Sequence, residues 1–265
     1  MVVPREHGAW GMLLVPLATG AVVGLRHGTN GSGLALFFCA AMSLFWLRTP
    51  LESWMGASAI KAQTRQERAL VLRMILATGL FAAICLAALL WDGRNRGLWL
   101  IGALAALALA VQAGVKKLGR KSRMPAQMIG AIGLTSTAAG AYYVATGRLD
   151  RTALALWLAN WLFAADQIHF VQVRIRSARA VSLEEKLKHG LPFLFLQIPL
   201  IGAVVAGWRC DLFPAVAALA FVPVLLRGTL WFGRGNQPLD VHKLGFSELR
   251  QTLVFGALLC AAFLL

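Results

Sequence analysis

The residues able to do chemistry in this chain sit inside runs that are otherwise apolar. Between 152 and 173 the sequence places Asn160, Asp166, Gln167, His169 and Gln172, with Arg174, Arg176 and Arg179 just beyond. Asp166 and His169 are three apart, so in a helix they share one face. A carboxylate beside an imidazole suits acid–base or orienting work on a bound molecule. The arginines suit phosphate or carboxylate oxygens through fork-like hydrogen bonds, and they equally suit anchoring at a membrane face. Asp166 could instead pair with a neighbouring arginine, and Asn160 and Gln197 could be hydrogen-bond glue between helices.

Other polar groups fall near the ends of apolar runs. Pro4-Arg5-Glu6-His7-Gly8-Ala9-Trp10 opens the first run. Glu6 there suits a helix N-terminus and Trp10 an interfacial belt; those roles need neither Arg5 nor His7, which leaves room for a site role. Arg48-Thr49-Pro50-Leu51-Glu52 closes the second run; Pro50 disfavours helix at Thr49, and Arg48 and Glu52 are placed to meet an anionic group or one another. Gln112 and Gln197 lie within later runs. Val241-His242-Lys243-Leu244-Gly245-Phe246-Ser247-Glu248 leads into the last run. Ser247 reads as its cap, with Glu248 in its first turn. Lys243 is a further candidate for an anionic head.

These groups need elements to hold them, and composition says which kind. Of 265 residues 58% are hydrophobic and 14% charged, with mean hydropathy +0.68. That is too little polar surface for a soluble globule. Runs near 9–25, 33–48, 71–91, 97–115, 126–147, 152–173, 190–208, 211–232 and 246–265 are long enough to cross a bilayer and do not alternate as barrel strands do. The expected fold is all-α: a polytopic membrane protein of about nine transmembrane helices in one integral membrane domain.

The net charge of +15 would suggest nucleic acid in a soluble chain. Here it reads as loops held against anionic lipid heads, and no nucleic-acid-reading motif is present. The N-terminal tip and the loops after spans two, four, six and eight hold 20 of the 26 lysines and arginines. Basic loops stay in the cytoplasm, which predicts a multi-pass protein of a bacterial inner membrane, N-terminus inside and C-terminus outside. The first run lacks a small-residue cleavage site and reads as a retained helix. The four cysteines are scattered, and neither they nor the five histidines show metal-ligand spacing. No Walker loop, Rossmann glycine pattern, HExxH or GxSxG occurs.

An offset of 126 residues relates Val115-Lys116-Lys117-Leu118-Gly119 to Val241-His242-Lys243-Leu244-Gly245, and Arg48 to Arg174. This predicts two pseudo-repeated four-helix halves, about 1–120 and 121–245, plus a ninth helix, 246–265. Parallel repeats of this kind place a site between the halves. Charged groups inside a membrane cost about 2.5–3.5 kcal/mol at a helix centre, so they tend to mark sites. Here they gather toward the inner half, as a cavity open to the cytoplasm requires.

The opening Pro-Arg-Glu-His-Gly-Ala-Trp, followed by Gly-Met-Leu-Leu-Val-Pro, resembles the start of the YwiC-like bacterial membrane proteins. The Val-Arg-rich end of span six and the Lys-Leu-Gly-Phe-Ser-Glu-Leu entry to span nine look like later landmarks of that family. Nine helices in two halves plus one are also similar in architecture to UbiA-type prenyltransferases. That resemblance implies a magnesium-dependent isoprenyl diphosphate site on the loops after helices two and six. The chain departs from it there, with Arg48 and Glu52 after span two, and Asp166, His169 and Arg174 near the end of span six. The paired aspartates that would hold magnesium are missing.

The expected function is therefore an intramembrane enzyme, or a derivative of one, handling an amphipathic anionic lipid such as a prenyl phosphate or quinone precursor. Arg5, Glu6, His7, Arg48, Glu52, Asn160, Arg174, Arg176, Gln197 and Lys243 would bind it, and Asp166 and His169 would do acid–base work. Which cofactor, if any, it would use is not encoded in these residues. The alternatives are a small-molecule permease, with Pro199, Pro214 and Pro223 breaking helices near the midplane, and a non-catalytic subunit of a respiratory or assembly complex.

Overall fold

The protein is described by a computed structural model over residues 7–54, 64–91, 96–119, 122–179, 182–233 and 239–265. Ten α-helices follow in chain order: α1 (His7–His27), α2 (Gly31–Trp54), α3 (Arg65–Trp91), α4 (Gly97–Lys116), α5 (Arg123–Thr135), α6 (Thr137–Thr146), α7 (Arg151–Arg176), α8 (Leu183–Arg209), α9 (Ala218–Gly233) and α10 (Val241–Leu264). There is no strand among the described residues.

α5 and α6 form one rod. The backbone ladder continues through Ser136, whose N–H donates to Ile132 and whose carbonyl accepts from Gly140. Thr135, Ser136 and Thr137 each turn a hydroxyl back onto a carbonyl of the preceding turn, a local competition that bends helices. Counting that rod once gives nine rods, the number expected. Eight of them are long and apolar enough to cross a membrane. The exception is α7, whose 26 residues suffice in length but carry the polar series from Asn160 to Gln172. The chain is a multi-pass helical membrane protein, and its least lipid-compatible helix is the one with the candidate chemistry.

Local signals fix the helix ends. Thr64 and Glu67 cap α3 reciprocally, each side chain accepting the other's backbone N–H. Asp150 caps α7 through the N–H groups of Thr152 and Ala153, and Ser182 caps α8. Gly147 ends α6 at φ 72°, a left-handed turn natural to glycine.

Two expectations about ends are corrected. α2 does not stop at Pro50 but continues to Trp54. The proline removes the N–H that would have reached the Trp46 carbonyl, while the Arg48–Glu52 pair one turn apart holds the coil across it. α10 starts at Val241, before Ser247, because Asp240 caps it through the Lys243 N–H at 3.1 Å. Pro199 and Pro223 likewise lie within continuous helices; Pro214 precedes a short 3-10 turn at Ala215–Ala217.

α1 is central, packing on α5, α6, α7 and α10. Gly20 and Gly24 on it, and Gly28 just past its end, recur every fourth residue and face α6. A β-carbon at Gly20 would overlap the Ala138 carbonyl, and one at Gly28 the Ala145 carbonyl. Close backbone approach of this kind stands in for the hydrophobic effect, which is weak between helices in lipid. α7 is the other hub, against α5, α6, α8 and α9, while α9 packs on α10.

The helices alternate in direction, and contacts show which ends meet. Glu52 near the end of α2 pairs with Lys116 at the end of α4. Gln172 on α7 donates to Gln127 at the start of α5. Lys186 at the start of α8 donates to the Trp231 carbonyl late in α9. These segments share one end of the bundle with the start of α10, the basic end. At the opposite end, Asn30 donates to the Val144 carbonyl and the Gly97 N–H donates to the Tyr143 hydroxyl.

Candidate functional site

Four helices bring a buried ionic core together below the basic end. Asp166 of α7 accepts from Arg227 Nη2 of α9 at 3.1 Å, through Oδ2, and from Gln197 Nε2 of α8 at 2.6 Å, through Oδ1. Arg227 Nη1 donates to Glu248 Oε2 of α10. Gln167 Nε2 donates to the Glu248 carbonyl at 3.0 Å and to Thr252 Oγ1 at 2.9 Å. All of these side chains are buried; those of Arg227, Asp166 and Glu248 are 9%, 2% and 6% exposed.

The depth follows from position in the helices. Arg227 lies six residues before the end of α9 and Glu248 seven after the start of α10. At 1.5 Å per residue both are about 10 Å below the basic rim. Aromatic rings roof the core. The Arg227 guanidinium sits 4.1 Å from the centroid of Phe170, and Arg174 reaches the same ring and Trp231 at 5.9 and 5.7 Å. Lys186 Nζ lies 4.5 Å from the Trp231 centroid. Stacked cations of this kind gain about 0.5–2 kcal/mol each.

Not every hydrogen-bonding atom in the core is satisfied. Gln197 Oε1, Glu248 Oε1 and Arg227 Nε are buried without a partner. Buried polar atoms normally find one; these three are left over by the contacts among the core side chains.

A second feature lies elsewhere. Between α2, α3, α4 and α5 runs a cavity of about 560 Å³ lined by apolar side chains such as Phe37, Leu44, Leu86, Trp99 and Leu109, with Arg48 at its basic end. Along α4 it extends from Leu98 to Leu109, about 16 Å at the helical rise. Arg48 Nε bonds Glu52 Oε1 at 3.1 Å, and Lys116 Nζ approaches the same oxygen at 3.5 Å. Two cations therefore share one carboxylate at the cavity's end.

The candidates from sequence thus separate. Asp166 and Gln197 are in the ionic core, while Arg48 lines the cavity and Glu52 pairs with it. Asn160 donates to Thr19 Oγ1 and the Leu156 carbonyl, tying α7 to α1. His169 is buried with its ring edge-on to Phe193, 5.3 Å between centroids. Arg174 roofs the core, Arg176 is exposed, and Lys243 is exposed beside Asp240 at 3.6 Å. Arg5 and Glu6 lie outside the described residues, as does the side chain of His7.

Arg227 and Glu248 are the core members that sequence reasoning misassigned. Arg227 is absent from the candidates read from sequence, although a lone arginine inside the apolar run 218–233 is itself the signal of a buried partner. Ser247 as cap would put Glu248 in the first turn. With Asp240 as cap, Glu248 falls two turns into α10.

Comparison with known proteins assigns the chain over residues 3–143, just over half its length, to the family described as YwiC-like protein. The matched stretch holds the opening motif, Arg48, Glu52 and the cavity, and stops within α6, before the ionic core. No curated protein and no solved structure matches the chain. The multi-pass helical chain described here therefore belongs to the YwiC-like family.

Proposed function

We propose that the protein binds an amphipathic anionic lipid of isoprenoid or quinone-precursor type within the membrane, its head at the basic end and its tail in the cavity between α2 and α5. The carrying observation is the cavity itself: some 560 Å³ with an almost wholly apolar lining that includes Arg48 at the basic end. Such a volume lies in the range of small-molecule sites, about 300–1,000 Å³. Its combination of a long apolar wall with one cation matches a ligand that is greasy along its length and anionic at its tip. Lys116 beside Glu52 leaves the entrance with one positive charge in excess, which favours a phosphate or carboxylate head.

The basic end faces the cytoplasm in this reading, because lysines and arginines concentrate in the loops there. The head would enter from that side. Any reaction on it would use groups at this end of the cavity. Asp166 and His169 belong to other helices and do not line it.

The test is purification in mild detergent followed by mass spectrometry of the retained lipids. An anionic isoprenoid or quinone-type species should be enriched over bulk membrane lipid, and Arg48→Gln should lower its retention about tenfold, the effect of losing one charge-assisted contact of roughly 1.4 kcal/mol. No enriched species, or enrichment that Arg48→Gln leaves intact, defeats the reading.

A further inference from the structure

The ionic core of α7–α10 has a charge balance that does not close. Asp166 and Glu248 meet a single guanidinium, that of Arg227. With both carboxyls ionised, the core would hold one net negative charge about 10 Å inside the bundle, estimated from the helical rise. An uncompensated buried charge is among the costliest groups in a fold.

Orphan atoms give a second and independent sign. Gln197 turns its amide nitrogen to Asp166 and leaves Oε1, an acceptor, buried without a donor. Glu248 gives Oε2 to Arg227 and leaves Oε1, another acceptor, equally bare. Gln197 is 8% exposed and Glu248 5%. Arg227 Nε is a third bare atom, a donor that only an acceptor would serve; the surplus negative charge and the two bare acceptors call for a positively charged donor.

The smallest such donor is a proton. One proton on the carboxyl pair cancels the excess charge and turns an orphan acceptor into a donor. A bound alkali cation is the competing occupant, and the two are separated below by the response to added sodium.

We propose that Asp166, Arg227, Glu248 and Gln197 form an intramembrane proton-binding site in which the two carboxyl groups share one exchangeable proton across the arginine. The proton belongs to the pair and not to either residue. The titratable or charged groups facing the core are Asp166, His169 and Arg174 of α7, Lys186 of α8, Arg227 of α9 and Glu248 of α10. Arg174 and Lys186 pack against the rings of Phe170 and Trp231 at the rim. His169, three residues from Asp166 and edge-on to Phe193, is the competing seat for the proton.

Release of the proton to the basic end would draw both carboxylates fully onto Arg227, and uptake would free one of them. The site thereby offers proton coupling to movements of α9 against α7 and α10. It stands apart from the lipid cavity and does not depend on it.

The experiment is infrared spectroscopy of the purified full-length protein across pH, in water and in deuterium oxide. At neutral pH the wild type should show the carbonyl stretch of one protonated carboxyl, shifted by deuterium and lost on alkalinisation. Asp166→Asn and Glu248→Gln each leave one carboxylate for one guanidinium, so either should abolish the neutral-pH band. Arg227→Gln should about double it, and His169→Gln should leave it in place. A wild type with no such band at neutral pH, as when the proton resides on His169, overturns the proposal without recourse to any variant. A band that survives both single carboxyl substitutions, or that disappears on adding sodium ions, also overturns it.

Discussion

Replacing Arg227 by methionine removes the one cation that two buried carboxyls touch, while keeping much of the side chain's packing on Phe170. Breaking a buried ion pair from one side costs about 3–5 kcal/mol. Arg227→Met should lower the thermal midpoint in detergent sharply, and Arg227→Met combined with Asp166→Asn and Glu248→Gln should recover most of the loss. Failure of the triple substitution to recover it would mean that Arg227 acts mainly through packing. At this scale the sequence was a partial guide. Asp166 and Gln197 announce themselves because a polar side chain in an apolar run needs a partner. The partner's identity depends on how α9 and α10 approach α7, which spacing within one helix does not encode. Asn160 illustrates the converse, its amide being taken up by Thr19 as a tie between helices.

Helix-level contacts make separate predictions. Gly20→Ala places a methyl group against the Ala138 carbonyl, a backbone atom that cannot swing aside. Overpacking of this kind costs about 1–3 kcal/mol and should appear as a lowered midpoint in thermal unfolding. Gly202→Ala on α8 meets nothing within 4 Å and should leave the midpoint unchanged. The cap of α10 predicts a pH effect. The Lys243 backbone N–H holds the Asp240 carboxyl below its ordinary value. A depressed carboxyl contributes stability that is complete above its unfolded value of about 3.9 and fades as pH falls through the folded one. Asp240→Asn should therefore lower stability near neutral pH, where the carboxylate contributes fully, and converge with the wild type below the folded value, which flattens the acid limb. Spans were legible from apolar runs because the bilayer sets their length. Their ends were less so: Pro50 lies inside α2 and Asp240 displaces Ser247, each through a polar contact with a nearby residue.

At the scale of the whole molecule, topology is the property most open to direct test. The contacts of Glu52 with Lys116, Gln172 with Gln127, and Lys186 with Trp231 gather the segments rich in lysine and arginine at one end. If that end is cytoplasmic, exposed Cys210, just past α8 at the opposite end, should react with a membrane-impermeant maleimide on intact cells. Cys85 is buried and should stay unreacted. Labelling of Cys210 only after the cells are opened would reverse the orientation. The rod count and the alternation of basic ends could be read from the sequence, since both follow from solvation. The division into an apolar cavity and an ionic core could not, because it arises from which rods touch.

The polarity of α7 has a consequence for how the protein is made. Its charged partners Arg227 and Glu248 are synthesised 61 and 82 residues after Asp166, so at the moment α7 leaves the ribosome nothing yet exists to neutralise it. A nascent chain halted ahead of α9 should hold α7 at the insertion machinery, where it can be crosslinked, and only the completed chain should release it into lipid. α9 and α10 thus act as a late key to insertion, and a chain cut ahead of them should strand a segment encoded far upstream.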